Sequence, residues 1–243
     1  MRTVALSVRG KTTALAAWRN EVFAVPIGCW VWMRVLTALL VCVWLGATQA
    51  AGAQSQTSGS HSSPAAAVVE SLHQVLSENL RDGDALGFKG RLQRLQSVVL
   101  RNFDFPAIAR VALGKAFDLL DSAGRTRFIR LLESLSVATY AEQFSGTDSP
   151  VRFVITAEQP ARGGRILVRT HLERPADEPV ALDYVLQNTA QGPRIVNVLA
   201  NGVSDLSLKR AQYSAVIRND GVDALFQRIE QQVRQLTNSH TGG

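Results

Sequence analysis

The chain is predicted to be an α+β protein in which helices pack on one face of a four-stranded, twisted antiparallel sheet. Three observations carry this. Apolar residues recur at helical spacing between positions 65 and 144, alternate with polar residues in four short segments between 151 and 200, and return to helical spacing from 206 to 236. N-terminal helices, sheet and C-terminal helices in that order leave an apolar pocket between the layers.

The elements follow in chain order. After Pro64, the residues Val68, Val69, Leu72, Val75, Leu76 and Leu80 share one face of a helix over 65–81, which the turn formers Asp82-Gly83-Asp84 should end. Phe88, Leu92, Leu95, Val98 and Val99 mark a second helix reaching Asn102. Within Asn102-Phe103-Asp104-Phe105-Pro106, Asp104 is placed to cap a new helix, and Pro106 falls in its first turn, where a missing N–H costs nothing. That short helix, with Ile108, Val111 and Leu113, should end at Gly114. Ser122 is the next expected cap, for a helix over 123–144 carrying Phe128, Leu131, Leu132, Leu135, Tyr140 and Phe144.

The period then changes to two. Val151, Phe153 and Ile155 alternate, as do Ile166 and Val168, Leu182, Tyr184 and Leu186, and Val196, Val198 and Ala200. Turn clusters at 159–164, 174–179 and 189–193 separate these strands, so they read as a meander. Gly202 breaks the last strand. Two further helical segments follow, one with Leu206, Ala211, Tyr213 and Val216, the other with Val222, Leu225, Phe226, Ile229 and Val233; Asp220-Gly221 separates them.

Ahead of this domain lies a targeting segment. Met33-Arg34 precedes an apolar run from Val35 to Leu45, and small residues follow, so residues 33–53 read as a secretory signal peptide. Thr48-Gln49-Ala50 and Ala51-Gly52-Ala53 both offer a small-x-small cleavage pattern. The competing reading is a membrane anchor, for which the run is short against the roughly 20 residues a spanning helix needs. A lipoprotein reading is disfavoured because Val41 precedes Cys42, where a small residue is wanted. Residues 1–32 read as an over-extended start or a long basic region. Residues 54–63 form an expected disordered leader, 64–236 a single domain, and 237–243 a flexible tail.

Removing the signal changes what composition means. Of 26 basic and 20 acidic residues, five basic side chains and one acid lie in 1–53, which lowers the net charge from +6 to +2. The high isoelectric point is therefore poor support for a nucleic-acid partner. Cys29 and Cys42 are the two cysteines, so a mature chain would hold neither a disulfide nor a thiolate site.

No catalytic pattern emerges. His61 and His240 fall in the expected tails, His171 stands alone on a strand, and Glu70-x-x-His73 is half of the paired motif a di-metal bundle needs. No serine sits in a Gly-x-Ser-x-Gly elbow, and Gly163-Gly164 belongs to a hairpin turn. What remains is apolar: Phe103, Phe105, Phe117, Phe128, Tyr140, Phe144, Phe153, Tyr184, Tyr213 and Phe226 are spread over most elements, either as plain core or as the lining of a greasy cavity.

A set of short motifs carries a resemblance. Val99-Leu100-Arg101-Asn102-Phe103-Asp104-Phe105, Leu113-Gly114-Lys115, Val137-Ala138-Thr139-Tyr140-Ala141, Gly202-Val203-Ser204 and Lys209-Arg210-Ala211-Gln212-Tyr213 resemble, in order, the MlaC-type periplasmic phospholipid carriers, also called toluene-tolerance proteins. Ser136 to Ala141 and Gly202 to Arg210 are closer to the hopanoid-associated, HpnM-like branch. The sequence departs from the family pattern at Phe117, where tryptophan is usual, in its last strand, which lacks tryptophan, and at Asn197, where aspartate is expected.

The resemblance implies a monomeric shuttle without catalytic groups, metal or cofactor. It would carry a phospholipid or hopanoid between an inner-membrane lipid ABC transporter complex and an outer-membrane lipoprotein complex. The expected pocket walls are Phe105, Leu113, Phe117, Phe128, Leu131, Leu135, Tyr140, Val168, Tyr184, Val198 and Tyr213; Arg210, which matches a family arginine, is the candidate for a polar role at the mouth or on a partner surface. A lipid-free scaffold is the alternative. An enzyme would need a polar constellation, for which His171, Asp183 and Tyr184 are the nominees.

Overall fold

The computed structural model describes residues 62–147, 150–175 and 177–238. The signal segment, its cleavage bond, most of the expected leader and residues 239–243 lie outside the described residues.

Helix α1 (Pro64–Asn102) starts at Ser63, whose Oγ accepts the Ala66 N–H at 3.0 Å. The expected stop at Asp82-Gly83-Asp84 is not used. The helix runs through it and breaks instead at Gly87, with φ 63° and ψ 175°. The reason is tertiary. A side chain on Gly83 would lie 2.7 Å from the Ser145 backbone, so this glycine admits a neighbouring chain segment. The buried Arg91 guanidinium then ties the region together, donating to the carbonyls of Gly83 and Ala141 at 2.8 Å each.

Phe103 and Asp104 join three elements. Phe103 caps α1 through its N–H to the Val99 carbonyl, and the Asp104 N–H donates to the Ile195 carbonyl at 2.9 Å. Asp104 also caps helix α2 (Phe105–Leu113), accepting the Ala107 N–H at 3.0 Å, with Pro106 in the first turn as expected. Its other oxygen accepts from Gln187 Nε2 at 2.7 Å. Gly114, at φ 57°, ends α2 and starts a short helix α3 (Lys115–Leu119) that periodicity did not signal. Helix α4 (Ser122–Gln143) is capped by Asp121 rather than Ser122; the carboxylate accepts the Gly124 N–H at 2.7 Å.

The sheet has five strands rather than four, in the order β1-β2-β3-β4-β5, all neighbours antiparallel. They are β1 (Arg152–Ala161), β2 (Arg165–Glu173), β3 (Val180–Thr189), β4 (Gly192–Ala200) and the two-residue β5 (Val203–Ser204). Strand β1 runs through Pro160, which an edge strand tolerates because its missing N–H breaks no inner ladder. Asn201 and Gly202, both at positive φ, fold β4 back onto β5 instead of ending the sheet. Helix α5 (Asp205–Asn238) then leaves the sheet edge, kinks at Gly221 as the Asp220-Gly221 break anticipates, and continues past Leu236 to Asn238.

Alternation along the strands builds one strongly buried face, with Val168 and Leu172 of β2, and Leu182, Tyr184 and Leu186 of β3. Helix α1 packs on it with Val69, Leu72 and Leu76, which are fully buried. Burying each such side chain is worth about 1.5–3 kcal/mol. The helices do not all stay on that face. Helices α2 and α5 pack together beside β4, and part of their surface meets residues of the opposite face. A register shift between Val185 and Leu186 disrupts the β3–β4 ladder there, and such irregularities bend and twist a sheet edge.

Candidate functional site

The interior between α1, α4 and the sheet is a chain of rings. Phe105 stacks on Phe103 with centroids 5.9 Å apart, Phe103 meets Tyr140 at 6.0 Å, and Tyr140 stacks on Phe144 at 5.9 Å. Phe144 approaches Phe153 at 6.2 Å, Phe153 stacks on His73 at 4.4 Å, and His73 meets the Tyr184 ring edge-on at 5.3 Å. Seven rings from α1, α2, α4, β1, β3 and the α1–α2 junction thus touch in sequence, at separations where aromatic pairs attract. A second cluster joins α4 to α5: Phe128 stacks on Phe226 at 5.5 Å and takes the edge of Tyr213 at 6.1 Å. Arg127 covers Phe226 and pairs with Glu230 at 2.8 Å, closing that cluster from outside.

Polar groups inside are few. The His73 Nε2 and the Tyr184 hydroxyl share a 3.1 Å hydrogen bond. Burial pushes the His73 pKa down to about 4, so the ring is neutral. Burial also raises the hydroxyls of Tyr140, Tyr184 and Tyr213 above their usual range; the Asp205 carboxylate adds to the effect at Tyr140 and Tyr213. Asp205, at the start of α5, therefore lies within electrostatic reach of two interior hydroxyls. Asn79 is fully buried, and neither its oxygen nor its nitrogen has a hydrogen-bond partner.

The expected wall residues divide by location. Phe105, Tyr140 and Tyr184 join the first ring chain, Phe128 and Tyr213 the second. Val168 is fully buried on the inner sheet face, and Val198, half-buried, pairs with Tyr184 in the ladder. Leu113 and Leu135 are buried in α2 and α4. Phe117 is buried in α3 beneath the guanidinium groups of Arg110 and Arg125, 5.3 and 5.5 Å from its centroid. Leu131 instead lines an open groove on the outer side of α4 with Thr126, Arg127 and Arg130. Arg210 is exposed and lines a cavity between α2, the sheet and α5.

Sequence reasoning placed Phe103, Phe144 and Phe153 among the aromatics of core or cavity lining without naming them as walls, and it did not count His73 among them. Their helical or strand period was visible, but their mutual contact depends on how α1, α4 and β1 dock. The three enzymatic nominees do not share one face. Asp183 and Tyr184 are neighbours on β3 and so point to opposite faces, and His171 belongs to the face of Asp183. Glu70 accepts a hydrogen bond from Ser62 at 2.7 Å, while His73 turns inward, so that pair does not act together.

The cavity at Arg210 has a volume of about 220 Å³. Ala107, Val111, Val185, Val196 and Leu206 supply its apolar surface, and Arg165, Asn197, Ser204, Ser207 and Arg210 its polar surface. Asn197 is oriented by α5: its Oδ1 accepts the Leu206 N–H at 3.2 Å and the Ser204 hydroxyl at 3.1 Å. The Arg210 guanidinium lies beside Gly114, at ordinary contact distance (3.5 Å) from where a side-chain carbon would stand.

An α+β domain with an aromatic interior on one sheet face and a small arginine-lined cavity against the other has the layout of a binding protein. The family model described as MlaC protein matches residues 70–231, and the chain belongs to the MlaC family. No curated protein is significantly similar to it. Among solved structures, the fold matches the phospholipid-binding protein from Ralstonia solanacearum, solved in complex with a phospholipid. The TM-score is 0.61 at 18% identity, over 72% of this chain and 98% of the Ralstonia chain. Among the described residues, no helix is long and apolar enough to cross a membrane.

Proposed function

We propose that this protein is a non-catalytic periplasmic lipid carrier. It takes up a phospholipid, with a hopanoid as the alternative cargo, and shuttles it between an inner-membrane ABC-type complex and an outer-membrane lipoprotein complex. The observation that carries this reading is the ring chain from Phe105 to Tyr184, an aromatic interior drawn from both layers without a converging catalytic group. Membership of the MlaC family and the phospholipid held by the Ralstonia protein of the same fold support it. The physical need is plain. Each methylene exposed to water costs about 0.8 kcal/mol, so an acyl chain of about 16 carbons crosses an aqueous space very slowly without a carrier to cover it. Acyl tails would enter by parting α1 and α4 from the inner sheet face, replacing ring–ring contacts with ring–methylene contacts of similar quality.

The test is organic extraction and mass spectrometry of residues 54–243, secreted to a bacterial periplasm behind residues 33–53. About one lipid per protein is the expected result. A folded protein that carries no lipid, and takes up none from vesicles, would favour the scaffold reading instead.

A further inference from the structure

The arginine-lined cavity faces away from the rings. Val185 and Asn197 pair on the side of the sheet opposite Tyr184 and Val198, and Arg165 shares that side by register. We infer that this cavity is a docking site for an acidic segment of a partner protein, in which Arg165 and Arg210 together grip a carboxylate side chain. The inference goes beyond the carrier reading and holds whatever the interior contains.

The lining suits a carboxylate carried on an apolar stem. One guanidinium comes from β2 and one from α5, and among the described residues neither is in an ion pair. Because the Asn197 oxygen is held by α5 and by Ser204, its amide hydrogens are left for a ligand. Ser207 adds a hydroxyl, and the other half of the lining is aliphatic, with Val111, Val185 and Leu206 the largest contributors. No carboxylate lines the space. Two stand near it and are already engaged: Asp205 by Lys209 at 2.6 Å, and Asp104 by the Ala107 N–H and Gln187. Planar guanidinium forks match carboxylate oxygens in pairs, which lysine cannot do.

Charge and size favour a protein segment as the occupant. Arg169 of β2 and Arg194 of β4 stand on the same sheet face as Arg165, also outside any ion pair among the described residues. On that face Glu173 is held by Arg152 at 2.8 Å, which leaves Asp183 of β3 to oppose them. A cationic surface selects an acidic partner, and arginine is the charged side chain enriched at protein interfaces. At about 220 Å³ the cavity lies below the roughly 300–1,000 Å³ of clefts that take a whole small ligand, which suits one inserted side chain. A bilayer fits less well. Its head groups form a flat surface, and the most exposed large hydrophobic side chains among the described residues, Leu119 and Val203, lie outside the cavity. A grip on this face also leaves α1, α4 and the inner sheet face uncovered, so a partner can hold the protein while its ring-lined interior opens.

The probe is a labelled, capped peptide of Gly-Leu-Glu repeats, compared with its Gly-Leu-Gln counterpart by fluorescence anisotropy on residues 54–243. The glutamate peptide should bind at least about tenfold more tightly, the scale of a charge-assisted hydrogen bond. Arg165→Gln combined with Arg210→Gln should reduce that preference to about twofold or less. Arg130→Gln combined with Arg218→Gln removes the same charge from α4 and α5 and should keep it. All four arginines are exposed, and circular dichroism checks that both double variants fold. A preference that persists in the cavity variant, or vanishes equally in the control, overturns the site, as does a glutamate peptide that fails to bind the wild type. Arginine-dependent sedimentation with phosphatidylglycerol vesicles, without a glutamate preference, would also overturn it and make the face a membrane contact. Lipid content after organic extraction separates this proposal from the carrier reading. It should be equal in the wild type and the cavity variant; a lipid-free wild type that still prefers the glutamate peptide would overturn the carrier reading and uphold the docking site.

Discussion

The His73 imidazole and the Tyr184 hydroxyl meet at 3.1 Å inside the domain, linking α1 to the middle of the sheet. His73 also lies flat against Phe153, so one ring fastens the helix to two strands. This geometry requires a neutral imidazole, because a charged one would be desolvated without a counter-ion.

Acid should therefore loosen the domain. The folded His73 pKa of about 4 lies below the ordinary histidine value of 6.5, so between those values the unfolded chain binds a proton that the native state refuses. Stability is fully present above pH 6.5 and falls as pH drops toward 4, by roughly 3 kcal/mol from this group. Urea midpoints measured across that window should decline in the wild type. In His73→Gln the decline should be shallower; an unchanged slope would assign the acid sensitivity elsewhere.

Asn79 offers a stabilising substitution. Its buried amide has no partner on either atom, and leaving a polar group unsatisfied costs about 1–3 kcal/mol. Asn79→Leu, close in shape and fully apolar, should raise the urea midpoint by a matching amount. A fall would show that the amide has a partner in solution.

Gly83 should reverse the usual helix rule. Glycine to alanine within a helix normally gains about 1 kcal/mol from propensity. Here the added carbon would sit 2.7 Å from the Ser145 backbone, which cannot swing aside as a flexible side chain can. Gly83→Ala should destabilise the protein by about 1–3 kcal/mol, as overpacking does. The sign of the shift in thermal midpoint decides the matter.

Asp104 serves two partners, the Ala107 N–H and the Gln187 amide. Asp104→Ala should cost about 1–3 kcal/mol, the sum of a lost cap and an orphaned side-chain donor. Asp104→Asn retains an oxygen for the cap and should lose less. Equal losses in the two variants would mean that the charge, not the cap geometry, matters.

Much of the architecture could be read from short stretches. Asp104 and Pro106 announced the start of α2, Gly114 its end, and alternation located β1 to β4, because caps and periodicity depend on a few neighbouring residues. The rule failed where packing overrode it. Asp82-Gly83-Asp84 has turn composition, yet Arg81 and Arg94 hold Asp82 on the helix surface and Gly83 fits against Ser145. The two-residue β5 is too short to show a period, and it exists because the Asn201-Gly202 turn returns the chain to β4.

The candidate site was legible only in outline. Aromatic residues on most elements were visible, but nothing local distinguishes the interior Phe105 from Phe117, buried under two arginines. Arg165 carried no signal at all: it follows Gly163-Gly164 and looks like any hairpin arginine. It becomes notable because the β2–β3–β4 register sets it on the face of Val185 and Asn197, and α5 brings Arg210 to the same cavity.

By itself, then, the sequence determined where most helices and the first four strands lie, their order along the chain and the family motifs, all properties of neighbouring residues. The tertiary structure alone decided where α1 bends, which rings touch, why the Asn79 amide is stranded, and that two arginines 45 positions apart line one cavity. Those outcomes depend on contacts between distant segments, whose geometry is set by packing and strand register rather than by any local propensity.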